Sequence, residues 1–576
     1  MNGLPGGLSL AILSTSTPDL LSGAMQSDFR AHGADLQVWH AAFNQHRQEI
    51  CDAKSLLYTR MPDAVILYLE AEDLFADSLA NPFAPREQHV QRALEAATEL
   101  DQLLETLQAG LPDALIVLHT VYLRPLNCLT GLEHHGEWGI AGLAATYNSE
   151  LSRIARTRPN IVVHDTAALA AYYGYREWFD ARLWYHARCR LSREANAALA
   201  RSLGSLLRGW QGHSRKLLVL DLDNTLWGGL VGEEGTVGIA LGPHGLGRAF
   251  LEFQIELLNL TRRGVLLAVC SKNDPEPGLE VIRNHPSMQL RENHFAAIRI
   301  NWSDKAANLR SIAAELNLGE ESMVFIDDNP AERELVRVAA PGVLVPEWPR
   351  DPADFKTALV DLAIHEFPRL RLTPEDKARV AMYGVERERR ASRDIHSTLE
   401  QFLRSLDMRV RISLATISDL PRIAQLTQKT NQFNLTSKRY TEADVRRMIQ
   451  DPRFLALSLA LRDRFGDEGL VGALILEEGQ ASRWKIDTFL LSCRVIGRGV
   501  ESAFLSRACD VAASRGATVL EGEYIPTARN SVAADVYSRL GFAGGGNAPW
   551  TFDCALRRIP APDWILIEKA TEGMHA

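Results

Sequence analysis

Along the first two hundred residues, short apolar runs bounded by polar stretches recur: "LSLAIL" from Leu8, "DAVILYL" from Asp63 and "DALIVLH" from Asp113. Each has the length of a strand, and helical patterns separate them. Such alternation predicts βα units around a parallel sheet. A charged Ala/Leu-rich helix, "SREANAALARSLGSLLRGW", then meets the polar break "QGHSRK", which sets a first boundary near residue 213. A second series follows: "LLVLDLD", "GVLLAVCS", "AAIRINW" and "SMVFIDD". It stops before "RLTPEDKARVAMY", where Thr373 suits an N-cap and Pro374 the first turn, so 371–404 is expected to be a helical linker. From about residue 405 the pattern changes to a strand-like "MRVRISLA", then "LALSLALRD" and "LVGALILEE", which suit a hairpin. The expectation is a three-domain α/β chain, 1–213, 214–370 and 405–576, the last domain α+β.

Composition narrows the partners. With 63 Lys and Arg against 72 Asp and Glu the net charge is −9, so neither nucleic acid nor a membrane surface meets a basic field. The 7 cysteines include no CxxC pair, which argues against a zinc site or a disulfide framework. The opening "MNGLPGGLSLAILST" has no basic segment and reads as a first strand rather than a leader. No apolar run approaches the roughly 20 residues that span a bilayer. A cytoplasmic protein is the expectation.

The chemistry gathers in the second series. Asp221 and Asp223 close one apolar run, Ser271 follows "LLAVC", Lys305 follows "IRINWSD", and Asp327 and Asp328 follow "MVFI". Carboxyl ends of parallel strands form the ligand-binding edge of an open α/β sheet. A lone DxD at a strand end is commonly turn chemistry; four signals in order are not. Phosphoryl transfer needs this set: a carboxylate nucleophile, a second carboxyl to handle the proton, a hydroxyl and a lysine against phosphate charge, and further carboxylates for Mg²⁺. The set, as "DLDNTLW", "VCSKND", "SDK" and "FIDDNP", resembles the haloacid-dehalogenase (HAD) phosphatases. The resemblance implies Asp221 as nucleophile, Asp223 as acid/base, and Asn224, Ser271, Lys272 and Lys305 at the phosphate. It also implies Mg²⁺ held by Asp221, Asp327, Asp328 and Asp223, the last through its backbone carbonyl. The gaps between these motifs leave no room for a large cap domain, and an open site suits a bulky or tethered substrate. Cys270, beside Ser271, has two readings: a small buried core residue, or a nucleophile holding an acyl group as a thioester.

In the C-terminal part, Arg494, Gly497 and Gly499 form R-x-x-G-x-G after "DTFLLS", and such glycines let backbone N–H groups approach a pyrophosphate. With Asn530, Tyr537 and the "LGF" ending, this part resembles GNAT acyltransferases. The resemblance implies that these five residues grip pantetheine; a degenerate fold kept for docking is the other reading. "LTQKTNQFNLTSKRYT" is read as a loop facing pantetheine or a carrier protein, or as a plain surface turn. Together with "CSKND", "DDNPAERELV" and "RDRFGDEGLVG", these stretches resemble the FkbH-like glyceryl-transferase/phosphatases, over about residues 214–570. Asp274 departs from the Asn or other polar residue expected there. The resemblance implies transfer of a glyceryl group from 1,3-bisphosphoglycerate to the phosphopantetheine of an acyl-carrier protein, with loss of phosphate. In it Cys270 would carry the transient thioester.

Residues 1–213 faintly resemble SGNH-hydrolase-like modules through "LSTSTPDL" and "FDARLWYH", which offer Ser14, Asp180 and His186 as site residues; docking or scaffolding is the alternative. The fold class expected is thus an SGNH/flavodoxin-like domain, a HAD Rossmannoid domain without a large cap and a GNAT-like α+β domain. Two rival functions stand beside glyceryl transfer: a plain phosphomonoester phosphatase, and a non-catalytic carrier-docking protein.

Overall fold

The apolar runs become strands close to where the pattern puts them. The computed structural model describes residues 7–123, 131–372, 389, 392, 396–527, 530–545 and 548–568, so the helix expected from Thr373 and Pro374 lies outside the described residues. Five parallel strands, β1 (Leu8–Ser14), β2 (Leu36–His40), β3 (Ala64–Tyr68), β4 (Leu115–His119) and β5 (Ile161–His164), form a sheet in the order β2-β1-β3-β4-β5. That is the flavodoxin-like, doubly wound order. β3 and β4 are buried throughout, which explains their unbroken apolar runs. β2 escapes the pattern because it is an edge strand, mostly half-exposed, with polar residues mixed into it.

The chain divides into two compact units, Met1–Leu207 and Arg208–Ala576. The first boundary therefore falls inside the helix Arg193–Trp210 rather than at the polar break after it. Within the second unit lies a four-stranded parallel sheet, β8-β7-β6-β9, made of β6 (Leu217–Leu220), β7 (Leu266–Ser271), β8 (Phe295–Ile300) and β9 (Met323–Ile326). The chain steps outward from β6 to β8 and returns to β9 on the other side, so the switch in direction lies between β6 and β9.

The same unit carries an eight-stranded mixed sheet. Its strands are β10 (Met408–Leu414), β11 (Phe454–Asp463), β12 (Gly466–Glu478), β13 (Arg483–Leu491), β14 (Val519–Gly522), β15 (Ala543–Gly545), β16 (Ala548–Asp553) and β17 (Ile565–Glu568). Their order is β15-β16-β14-β13-β12-β11-β10-β17. β11 and β12 form the expected hairpin, and β13 and β14 are parallel. Two helices between β10 and β11, and one between β13 and β14, complete the α+β fold expected for this part. The two sheets are tied by Lys216 Nζ donating to the Lys429 carbonyl (2.9 Å) and Asn317 Nδ2 donating to the Cys493 carbonyl (3.1 Å). Among the described residues no helix is long and apolar enough to cross a membrane.

One local departure matters later. β13 and β14 pair only over Arg483–Ile486, then part. The gap is filled by the chain itself. Leu435 N–H donates to the Phe489 carbonyl (3.2 Å), Leu491 N–H to the Phe433 carbonyl (3.0 Å), and Ile525 N–H to the Leu435 carbonyl (2.8 Å). Phe433, Asn434, Leu435 and Thr436 are all buried. Of the stretch read as a pantetheine-facing loop or a surface turn, the start ends the helix Leu420–Lys429 and the middle, Phe433–Thr436, is an inserted extended segment bridged to Leu490 at Asn434. Its backbone amides should exchange slowly: in hydrogen-exchange mass spectrometry, peptides covering 433–436 are expected to show protection like that of β13. Exchange at the rate of an open loop would contradict the inserted arrangement.

Candidate active site

Asp221 and Asp327 follow β6 and β9 directly, Ser271 ends β7 and Lys305 opens the helix after β8, and the parallel sheet brings the four ends together. Asp221 follows β6 and its N–H donates to the Ile326 carbonyl at the end of β9 (3.0 Å), locking the two edges at the switch point. Lys305 opens the helix Lys305–Leu316, capped by Asp304 through Ala307 N–H (2.9 Å), and its ammonium reaches back over the edge. There Lys305 Nζ hydrogen-bonds Asp221 Oδ1 (3.0 Å) and Asp327 Oδ2. All three side chains are buried.

Burial raises the Asp221 carboxyl, and nearby Asp327 raises it further, against the pull of Lys305. Burial opposes the Lys305 ammonium, but Asp221 and Asp327 outweigh it and hold it raised. Asp328, half-buried, is pushed up to about 6 by burial and by Asp327. Arg333 Nη1 fixes the turn by donating to the carbonyls of Asp327 (2.8 Å) and Asp328 (2.9 Å).

Carboxylate oxygens of Asp221, Asp327 and Asp328 lie within 4.8 Å of one another. An all-oxygen, anionic donor set of that size fits a hard divalent cation such as Mg²⁺. The Asp223 carboxylate is outside this group. Its Oδ1 accepts from Trp227 Nε1 (2.8 Å) and Val231 N–H (3.2 Å), and its Oδ2 from Asn273 Nδ2 (2.9 Å). Burial raises the Asp223 carboxyl, against the pull of the Val231, Trp227 and Asn273 hydrogen bonds. Asn273 and Trp227 were not singled out, though both lie inside the quoted motifs; side-chain donors aimed at a neighbouring carboxylate leave no sequence signal.

The remaining sequence-predicted residues divide. Ser271 is buried at the end of β7, and its hydroxyl is among the groups that pull the Asp221 carboxyl down. Asn224 adopts φ +54° and its Oδ1 accepts from Gly229 N–H (2.9 Å), so it shapes the turn after Asp223. Lys272 is engaged by Glu332 (2.7 Å). Cys270 is a correction. Successive residues of a strand face opposite sides, so Cys270 points away from Ser271 into the core with Ala268, Ala306 and Leu309. Its Sγ lies 3.8 Å from the Lys305 carbonyl and burial pushes the thiol up to about 12. A fully buried, protonated thiol on the far face is a core residue, not an acyl carrier.

The pantetheine residues are corrected in part. Gly497 (φ +78°) and Gly499 (φ +82°) need their lack of a side chain, and both line a cavity of about 520 Å³. Arg494 instead pairs with buried Glu468 (3.0 Å). Asn530 is wholly buried, donating to the carbonyls of Asn434 (3.0 Å) and Ile525 (2.8 Å), so it clamps the inserted segment. Tyr537 packs in the core against Phe542 and Trp550.

In the N-terminal unit, Ser14 hydrogen-bonds Ser16, Asp180 caps the helix Ala181–Ala187, and His186 is exposed. Among the described residues none of the three bonds another. What the strand ends do bury is His119 and His164, which share the Thr166 hydroxyl at 2.6 and 2.8 Å.

Two expectations follow. Lys305→Met would leave Asp221 and Asp327 buried without their cation. It should cost the second unit roughly 3–5 kcal/mol in denaturant unfolding; an unchanged midpoint would contradict the buried triad. Burial also lowers His164 to about 4 and His119 well below its ordinary value. The unfolded chain then binds protons that the folded chain refuses. Stability of the N-terminal unit should therefore fall as pH drops from about 6.5 towards 4, by on the order of 3 kcal/mol for His164. Equilibrium unfolding against pH reads this directly.

No protein-family model and no curated protein matches the chain. Among solved structures, the N-terminal part of a Bacteroides fragilis protein, containing a phosphatase domain and complexed with Mg, is similar at 31% identity and TM-score 0.58. The match covers 62% of this chain and 94% of that one. Smaller matches cover 25% of this chain each. One is the ribosomal-protein-S18-alanine N-acetyltransferase of Escherichia coli (18% identity, 89% of that chain, TM-score 0.20). Another is a spermidine N-acetyltransferase of Vibrio cholerae (15%, 94% of that chain, TM-score 0.21). With nearly all of the Bacteroides fragilis structure covered at that identity, the chain belongs to the same family as this phosphatase-domain protein.

Proposed function

We propose that the chain is a Mg²⁺-dependent phosphatase whose substrate is a three-carbon acyl unit bound for, or borne by, an acyl-carrier protein. The observation that carries the phosphatase half is the Lys305 ammonium held between Asp221 and Asp327 at the switch point, with Asp328 alongside. An Asp221 oxygen bonds to phosphorus as the bond to the leaving oxygen breaks, and Asp223 gives that oxygen its proton. Water then attacks phosphorus, Asp223 takes its proton, and inorganic phosphate leaves Asp221 free. Lys305 and the Ser271 hydroxyl balance the phosphate charge. Mg²⁺ held by Asp221, Asp327 and Asp328 would neutralise the phosphoryl oxygens.

The glyceryl reading extends this. The phosphopantetheine thiolate attacks the acyl carbon of 1,3-bisphosphoglycerate, the bond to the acyl phosphate breaks, and phosphate is expelled. The Asp221 site then removes the remaining phosphate. With Cys270 in the core, the acyl group passes to the carrier directly, without an enzyme thioester.

The test uses the full chain, Mg²⁺, 1,3-bisphosphoglycerate and a phosphopantetheinylated carrier. Mass spectrometry should find glyceryl-carrier with wild type and with Cys270→Ala. Asp221→Asn should slow release of the second phosphate, the one on phosphoglyceryl-carrier, roughly 10³-fold or more, so that phosphoglyceryl-carrier accumulates with one phosphate set free. No acyl adduct under any of these conditions would overturn the glyceryl reading; full phosphate release by Asp221→Asn would overturn the mechanism.

A further inference from the structure

Trp302 lies between the end of β8 and Lys305, at the catalytic edge, and is 70% exposed. An indole left in water forgoes the stabilisation of burial. It is nevertheless held still. Its Nε1 donates to Asp274 Oδ1 (2.9 Å), Asp274 N–H donates to Asn273 Oδ1 (2.9 Å), and Asn273 Nδ2 donates to Asp223 Oδ2 (2.9 Å). Three hydrogen bonds, passing through the side chain and backbone of Asp274 and the amide of Asn273, thus link the indole to the Asp223 carboxyl. Beyond Asp223 the chain continues to Val231 N–H, and the neighbouring Leu230 is 42% exposed. Two residues separate Trp302 from Lys305, so their backbones lie within about 11 Å of each other.

Asp223 must touch the leaving oxygen, so whatever that oxygen carries emerges beside these two apolar side chains. A phosphoglyceryl unit is short and polar and has nothing to lay against an indole. The arm of a carrier, alternating methylenes and planar amides, does. We infer that Trp302, with Leu230, is a recognition platform for the pantetheine arm, and that phosphate is removed after the three-carbon unit is tethered, not from the free acid. This rests on the glyceryl reading above.

The experiment compares two substrates of the full-length enzyme with Mg²⁺: the phosphoglyceryl thioester of N-acetylcysteamine and 3-phosphoglycerate. Wild type should favour the thioester at least about tenfold in kcat/KM, chiefly through KM. Trp302→Ala should remove most of that ratio. Trp302→Phe, which keeps a ring and loses the N–H, should retain most of it. Equal use of both substrates by wild type, or a proportionate loss on both through kcat in Trp302→Ala, would overturn the inference. Hydrolysis of acetyl phosphate with neither three-carbon substrate accepted would overturn the glyceryl reading, and this inference with it. No phosphate release from acetyl phosphate would overturn the phosphatase reading itself.

Discussion

An ammonium between two carboxylates, in a space closed to water, is the constraint around which the second unit is organised. None of the three ions is stable there alone: each would lose far more hydration than the fold could return. Lys305 can meet Asp221 and Asp327 only if β6 and β9 are neighbours and a helix begins at their carboxyl edge. The Asp221 N–H on Ile326 and the Arg333 guanidinium on the carbonyls of Asp327 and Asp328 hold that register. A substrate phosphate entering here meets charges already positioned, so little reorganisation remains for the reaction itself.

Much of this was legible in the chain because parallel strands write themselves as unbroken apolar runs with the polar residue just after them. Asp221, Ser271 and Asp327 are each such a residue, and only the sheet order was needed to bring them together. Cys270 shows what such reading misses. It stands one place before Ser271, yet a pleated strand sends the two to opposite faces, and the rank of a residue in a motif carries no face label. Asn530 fails differently: its value to a ligand depended on a gap that a distant segment, Phe433–Thr436, already fills. Pairing between segments so far apart leaves no local trace. β2 was missed for the opposite reason, its half-exposed edge position blurring the pattern.

The C-terminal sheet spends the separation of β13 and β14 on its own backbone. Glycines at 497 and 499 still turn the chain into the helix Val500–Ser514, but Arg494 is drawn inward to Glu468. Strand order alone does not convey activity.

The ties between the two sheets have a mechanical consequence. Lys216 precedes β6 and Asn317 ends the helix that Lys305 begins, so both contacts lie at the edge remote from the phosphate. That helix of 12 residues is about 18 Å long. The C-terminal module is thereby braced against the back of the phosphatase sheet, like a stand behind a dish. It leaves the edge that carries Asp221, Lys305 and Asp327 clear of both contacts.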